Sequence, residues 1–152
     1  MKNFYDTKDR VALTERINKL TAGSERLWGS MTVSQTVCHM TDQLRMTDGK
    51  IKTKPVGTVI YRTLLKWLVL TIVKAPKGKI KTVPEIDQDK QGTKPTEFAR
   101  DVAQLFQMMD RFASEENKVV LYPHPAFGKL TKWQWGRLIY LHMDHHLRQF
   151  GI

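Results

Sequence analysis

Apolar residues return at three- and four-residue steps along segment after segment of this chain, and glycine or proline closes most of them. Phe98, Val102, Leu105, Met109 and Phe112 mark one side of a helix predicted over 96–116. A rod with an apolar stripe must bury it, and rods of this kind bury their stripes against one another. Thr7 to Ala22 reads the same way, with Val11, Ile17 and Leu20 as markers and Gly23 as the stop. Thr32 to Asp48 opens on Thr32 with Gln35 three residues later, a capping box, and ends at Gly49. Thr131 to Phe150 ends at Gly151. The expected class is therefore all-α. The chain has 152 residues and no internal repeat, which fits a single domain over 1–152.

A further helix predicted over Thr58 to Lys74 is the most apolar segment, lying between Pro55-Val56-Gly57 and Pro76. A membrane span needs about 20 apolar residues with few charges. This segment is shorter and carries Arg62 and Lys66 on one narrow stripe. It reads as a buried or dimer-interface helix, with a role at a membrane surface as the lesser alternative. The polar stretch from Ala75 to Pro95 is long for a connection inside a compact domain, so it is either mobile or partly functional. Lys118 to Gly128 holds two prolines and reads as a connecting loop.

Net charge is +10, which invites a nucleic-acid or anionic-membrane partner. Lys50, Lys52 and Lys54 form one basic stretch and Lys74, Lys77, Lys79 and Lys81 another, both at segment ends or in loops. No nucleic-acid motif accompanies them, and the aromatics are not interleaved with the lysines as a stacking platform requires. A solvated surface is the preferred reading, and no nucleic-acid partner is expected. The first residues lack the apolar core of a secretory signal, and the single cysteine, Cys38, excludes an internal disulfide. Both fit a cytoplasmic protein without a transmembrane segment.

Three of the five histidines fall within Leu141-His142-Met143-Asp144-His145-His146. At about 100° per residue, Arg137, Asp144 and Arg148 form one stripe that should face water. Trp135, Ile139, His142 and His146 lie opposite, with His145 nearer the rim. Histidines four apart share a helix face and can hold one ion. Alone the pair is a weak signal, since two buried histidines bonded to neighbouring groups would show the same spacing. His39 is the only histidine in another predicted helix. Val33, Val37, Met40 and Leu44 form the apolar side of that helix; Ser34, Asp42 and Arg45 mark its wet side. His39 falls between the two, near the uncharged polar Thr36, Gln43 and Thr47. That suits a polar cavity in a bundle, and equally a surface edge.

The tail His124-Pro125-Ala126-Phe127-Gly128-Lys129-Leu130-Thr131, then Trp135, His142 and Asp144-His145-His146-Leu147-Arg148-Gln149-Phe150, resembles an uncharacterised subfamily of DinB-like (DinB/YfiT) proteins. Leu27-Trp28-Gly29-Ser30-Met31-Thr32 leading to Cys38-His39-Met40 resembles the same family's second-helix signature. The resemblance implies a four-helix bundle with a long crossover connection, to which Thr58–Lys74 would add one extra apolar helix. It implies one histidine from the second helix and two, four apart, from the last, which by position are His39, His142 and His146. It implies a divalent metal, nickel or zinc. It further implies either a transferase using a low-molecular-weight thiol or a hydrolase, acting on a small-molecule substrate. His145 leaves the choice of ligand pair open by pattern alone.

Three neutral imidazoles leave an ion with an open position, the arrangement of a catalytic site. Trp28, Gln43, Phe127, Trp135 and Gln149 are candidate pocket residues, Gln149 being near the inward side of the last helix, although core packing explains aromatics at helical spacing more often than ligand recognition does. Cys38 lies about 100° from His39 on its helix and reads as a packed small residue. No general base is evident near the three histidines. A non-catalytic binding protein of the same fold, and a binder of nucleic acid or anionic membrane, are the alternatives. The apolar helix makes a homodimer plausible.

Overall fold

A computed structural model describes residues 1–71, 82–115 and 118–152. Its described residues form α-helices without any strand: α1 (Thr7–Ile17), α2 (Val33–Thr47), α3 (Lys66–Thr71), α4 (Phe98–Ser114) and α5 (Lys132–Gln149). A π-helical turn at Tyr61–Leu65 leads into α3, and a 3₁₀ turn occupies Pro84–Ile86. Among the described residues no helix is long and apolar enough to cross a membrane.

Each start is fixed by local chemistry. Thr32 and Gln35 form the expected capping box on α2, and Thr131 with Gln134 forms a second one on α5. Asp6 caps α1 by accepting from the Asp9 amide. On α4 the Glu97 cap position makes no side-chain bond. Instead Asp101 reaches back and accepts from both Thr96 N and Thr96 Oγ1, each at 2.8 Å. The helix therefore begins at Phe98 rather than the expected Thr96, because Thr96 is used as a clamp. The first helix stops at Ile17, short of the expected Ala22. Lys19 and Leu20 close tighter turns on Arg16 O and Ile17 O, and this drops Leu20 into the core.

The buried stripes meet in one cluster. Val37, Met40 and Leu44 of α2, Leu105, Met109 and Phe112 of α4, and Trp135, Ile139, Met143 and Leu147 of α5 are within about 1% of full burial. The main packing partners are α2 with α4, α5 with α1, and α5 with α2. So α5 lies between α1 and α2, and α2 between α5 and α4. Truncating any of these side chains to alanine typically removes about 2–5 kcal/mol.

Two expectations are corrected here. Asp42 does not face water; it is fully buried. Its carboxylate accepts from Gln88 Nε2 (2.9 Å), Thr93 N (2.7 Å), Thr93 Oγ1 (2.7 Å) and Arg45 (3.2 Å). Arg45 in turn reaches Gln104 on α4 at 2.9 Å. The described part of the polar stretch, from residue 82 onward, is thus strapped over α2 by one carboxylate. The segment around α3 is not buried within the chain. Val59, Ile60, Tyr61, Leu64 and Trp67 are exposed, and only Leu70 enters the core, against α5. Residues 72–74 of that predicted helix, Glu116 of the fourth, and the basic Lys74–Lys81 stretch lie outside the described residues.

Candidate metal centre

The strap over α2 and the inward side of α5 bring three imidazoles together. Ligand-capable nitrogens of His39, His142 and His146 lie within 4.8 Å of one another. The ring centroids stand 4.6–4.8 Å apart in all three pairs. His39 is 2% exposed and His146 8%, while His142 is half-buried.

The hydrogen bonds fix which nitrogens are free. His39 Nδ1 lies 2.8 Å from the Ile86 carbonyl oxygen, which can only accept, so Nδ1 carries the proton and Nε2 keeps its lone pair. His146 Nδ1 lies 3.0 Å from Gln149 Oε1, and the same argument leaves its Nε2 bare. Gln149 is itself held in place. Its backbone carbonyl accepts from Leu27 N at 2.7 Å, and its side-chain amide nitrogen packs so closely on Gly29 that a Cβ there would strike it. Gly29 also has φ +84°, a conformation that side chains disfavour. His142 Nε2 is 2.9 Å from His39 Nε2 and must therefore donate, which leaves His142 Nδ1 buried and without a partner.

Burial holds all three imidazoles in the neutral form. It pushes the pKa of His39 down, and it pushes those of His142 and His146 well below the usual histidine value. For His142 and His146 the mutual repulsion of neighbouring imidazolium charges adds to this. Neutral imidazoles with fixed Nε2 lone pairs are what a metal site requires of its ligands. The residues present therefore fit a divalent ion: two rings are oriented by oxygen acceptors outside the cluster, and the third carries an orphaned polar atom. Two nitrogens sharing a tetrahedral ion stand about 3.4 Å apart. The 2.9 Å approach of His39 and His142 is closer, so the rings would part slightly to admit one.

Residues 4–151 match the model of a family described as protein of unknown function (DUF1569). The chain belongs to this family. No curated protein and no solved structure matches it.

The remaining expected site residues of this DUF1569 chain fall into separate settings. Gln149 touches the cluster directly. Trp28 packs edge-on against His145 at 4.8 Å, and His145 meets His146 edge-on at 5.3 Å, outside the group of three. Phe127 stacks on His124 at 4.7 Å, and Trp135 lies 5.6 Å from the same ring. Gln43 is buried with Oε1 unpartnered. None of these five lines the polar cleft of about 390 Å³ that opens beside the 3₁₀ turn, bounded by Ser30, Met31, Gln35, Thr82, Asp87, Gln88, Asp89 and Lys90. Cys38 is buried, and burial together with the nearby Asp101 charge pushes its thiol up to about 12, so it stays protonated.

Sequence reasoning missed the Ile86 carbonyl, because a backbone acceptor leaves no side-chain signal. It missed that the His124 ring packs against Phe127 and Trp135, having placed it only in a connecting loop between prolines. Gln149 carried a readable signal, three residues after His146 on one helix face.

Proposed function

We propose that His39, His142 and His146 hold one divalent metal ion, nickel or zinc, and that the protein is a metal-dependent enzyme. In this reading α1, α2, α4 and α5 form a DinB-like four-helix bundle, the long crossover runs from α2 to α4, and α3 is the extra helix. The packing order of the helices supports it. The observation that carries the reading is the pair of outward Nδ1 bonds, from His39 to Ile86 and from His146 to Gln149, which commit both Nε2 lone pairs to a common centre.

An ion held by the three neutral imidazoles of His39, His142 and His146 would supply Lewis acidity and an open position for activating a water or a small thiol. The chain's own residues do the rest. The Ile86 carbonyl and Gln149 orient two of the rings. Asp42, by strapping residues 88 and 93 to α2, holds the turn that carries Ile86. A transferase using a low-molecular-weight thiol and a hydrolase are the two reaction classes that such a site would serve. Among the described residues no carboxylate or lysine contacts the cluster as a proton acceptor. That observation favours the second reading, a binding protein of the same fold.

Elemental analysis after incubation with nickel or zinc and dialysis tests the proposal. About one equivalent per chain is expected, falling steeply in His142→Ala together with turnover of an activated thiol acceptor or ester. Less than about a tenth of an equivalent in the wild type would overturn it, and stoichiometric metal without turnover would leave the binding-protein reading standing.

A further inference from the structure

The segment leading into α3 presents bulky apolar side chains to solvent while being rigidly attached at both ends. Val59 is 76% exposed, Ile60 66%, Leu64 58% and Trp67 54%. At the front, Val56 N and Gly57 N both donate to Pro125 O, at 2.9 and 3.1 Å. Gly57 lies so close to the next residue of that loop that a Cβ would strike Ala126 O. At the back, Arg137 of α5 donates to Leu70 O at 3.1 Å. The apolar face is therefore held outward and is not a frayed end.

Its charge is one-sided. From Gly49 to Thr71 there are five basic residues, Lys50, Lys52, Lys54, Arg62 and Lys66, and no acidic one. In sequence the run without an acid continues to Pro84. Lys52, Lys54 and Arg62 are exposed, whereas Lys50 already leans on Asp48 at 3.7 Å. An apolar face of this size needs a cover. A second copy meeting it about a two-fold axis would bring only basic charges to the contact, with no acidic partner for Arg62 or Lys66 from the same stretch. A surface that is apolar below and negative above satisfies both features at once. The described part of the helix is too short to span a bilayer but suits the interface plane, with Trp67 and Tyr61 at headgroup depth.

We propose that residues 56–71 form a docking face for an anionic lipid membrane, with Val59, Ile60, Leu64 and Trp67 entering the headgroup boundary and Arg62 and Lys66 engaging the negative headgroups. This is independent of the metal centre. Sedimentation of the full chain with phosphatidylcholine vesicles, with and without phosphatidylserine, tests it at low and high salt. Binding is expected only with phosphatidylserine, weakening as salt rises. Arg62→Gln with Lys66→Gln should weaken it about thirtyfold, and Leu64→Asp with Trp67→Asp should abolish it. These positions are largely solvent-exposed, so both variants should keep the wild-type circular dichroism. Absence of sedimentation at low salt overturns the proposal, as does equal binding to phosphatidylcholine alone or binding indifferent to Leu64→Asp with Trp67→Asp. A dimer by light scattering that Leu64→Asp with Trp67→Asp dissociates, without vesicle binding, overturns it in favour of a second copy.

Discussion

His124 makes the stability of the metal-free protein depend on pH in a calculable way. Burial lowers its pKa from 6.5 to about 4. Its Nδ1 accepts from the amides of Ala126 (3.2 Å) and Phe127 (3.1 Å), so a proton on that nitrogen would meet two donors. Because the folded pKa is lowered, the unfolded chain takes up the proton first as pH falls. Stability is therefore lost as pH drops below 6.5, and the loss is complete near 4. At 1.36 kcal/mol per pKa unit the full loss is about 3 kcal/mol, with about 2 kcal/mol already gone at pH 5. His124→Asn keeps an acceptor for the two amides without titrating. Urea unfolding of both proteins with chelator present, from pH 7.5 to 4, isolates the effect. The other histidines titrate in both chains and cancel in the difference. The stability of wild type relative to His124→Asn should fall by about 2 kcal/mol between pH 7.5 and 5. A flat difference, or one of opposite sign, would show that His124 is not held neutral by its surroundings.

Gln149→Leu removes the acceptor that sets the His146 tautomer at 3.0 Å. Metal affinity by competition with a chromogenic chelator should drop about 10–100-fold with the fold retained, and an unchanged affinity would dissociate Gln149 from the site. Asp42→Ala strands the Gln88 and Thr93 donors in the interior. The urea midpoint should fall by the equivalent of about 2–4 kcal/mol, and limited proteolysis should cut between residues 82 and 97 before any helix. A variant as stable and as resistant as wild type would refute the strap. Phe112→Ala, at full burial between α4 and α2, should cost about 3–5 kcal/mol by the same unfolding measurement. A loss under about 1 kcal/mol would mean that the helix is not packed there.

What could be read in the residues was whatever a single element determines. The spacing of Phe98, Val102, Leu105, Met109 and Phe112 sufficed for a helix, and Leu105, Met109 and Phe112 are in the core. Thr32 and Gln35 sufficed for a start. The α5 wheel separated Trp135, Ile139 and His146 from Arg137, Asp144 and Arg148, because α5 packs on α1 and α2 along one side. Even there the outward stripe is not free: Asp144 is clamped at 2.8 Å by Arg16 of α1. What could not be read depended on a second element. His39 sat at a boundary on its own wheel and is 2% exposed, because the Pro84–Ile86 turn folds over it. Asp42 read as wet for the same reason: its partners Gln88 and Thr93 are 46 and 51 residues away in sequence. The apolar run through Trp67 read as buried or paired, since hydropathy alone cannot distinguish a face covered by the chain from one awaiting a partner.

Crystals grown with nickel or zinc, with anomalous data collected at the edge of that metal, would address the metal centre most directly. One strong peak per chain is expected, with Nε2 of His39 and of His146 and a ring nitrogen of His142 at about 2.0–2.2 Å. A metal-loaded crystal with no peak among these rings, or with the peak held by other residues, would contradict it.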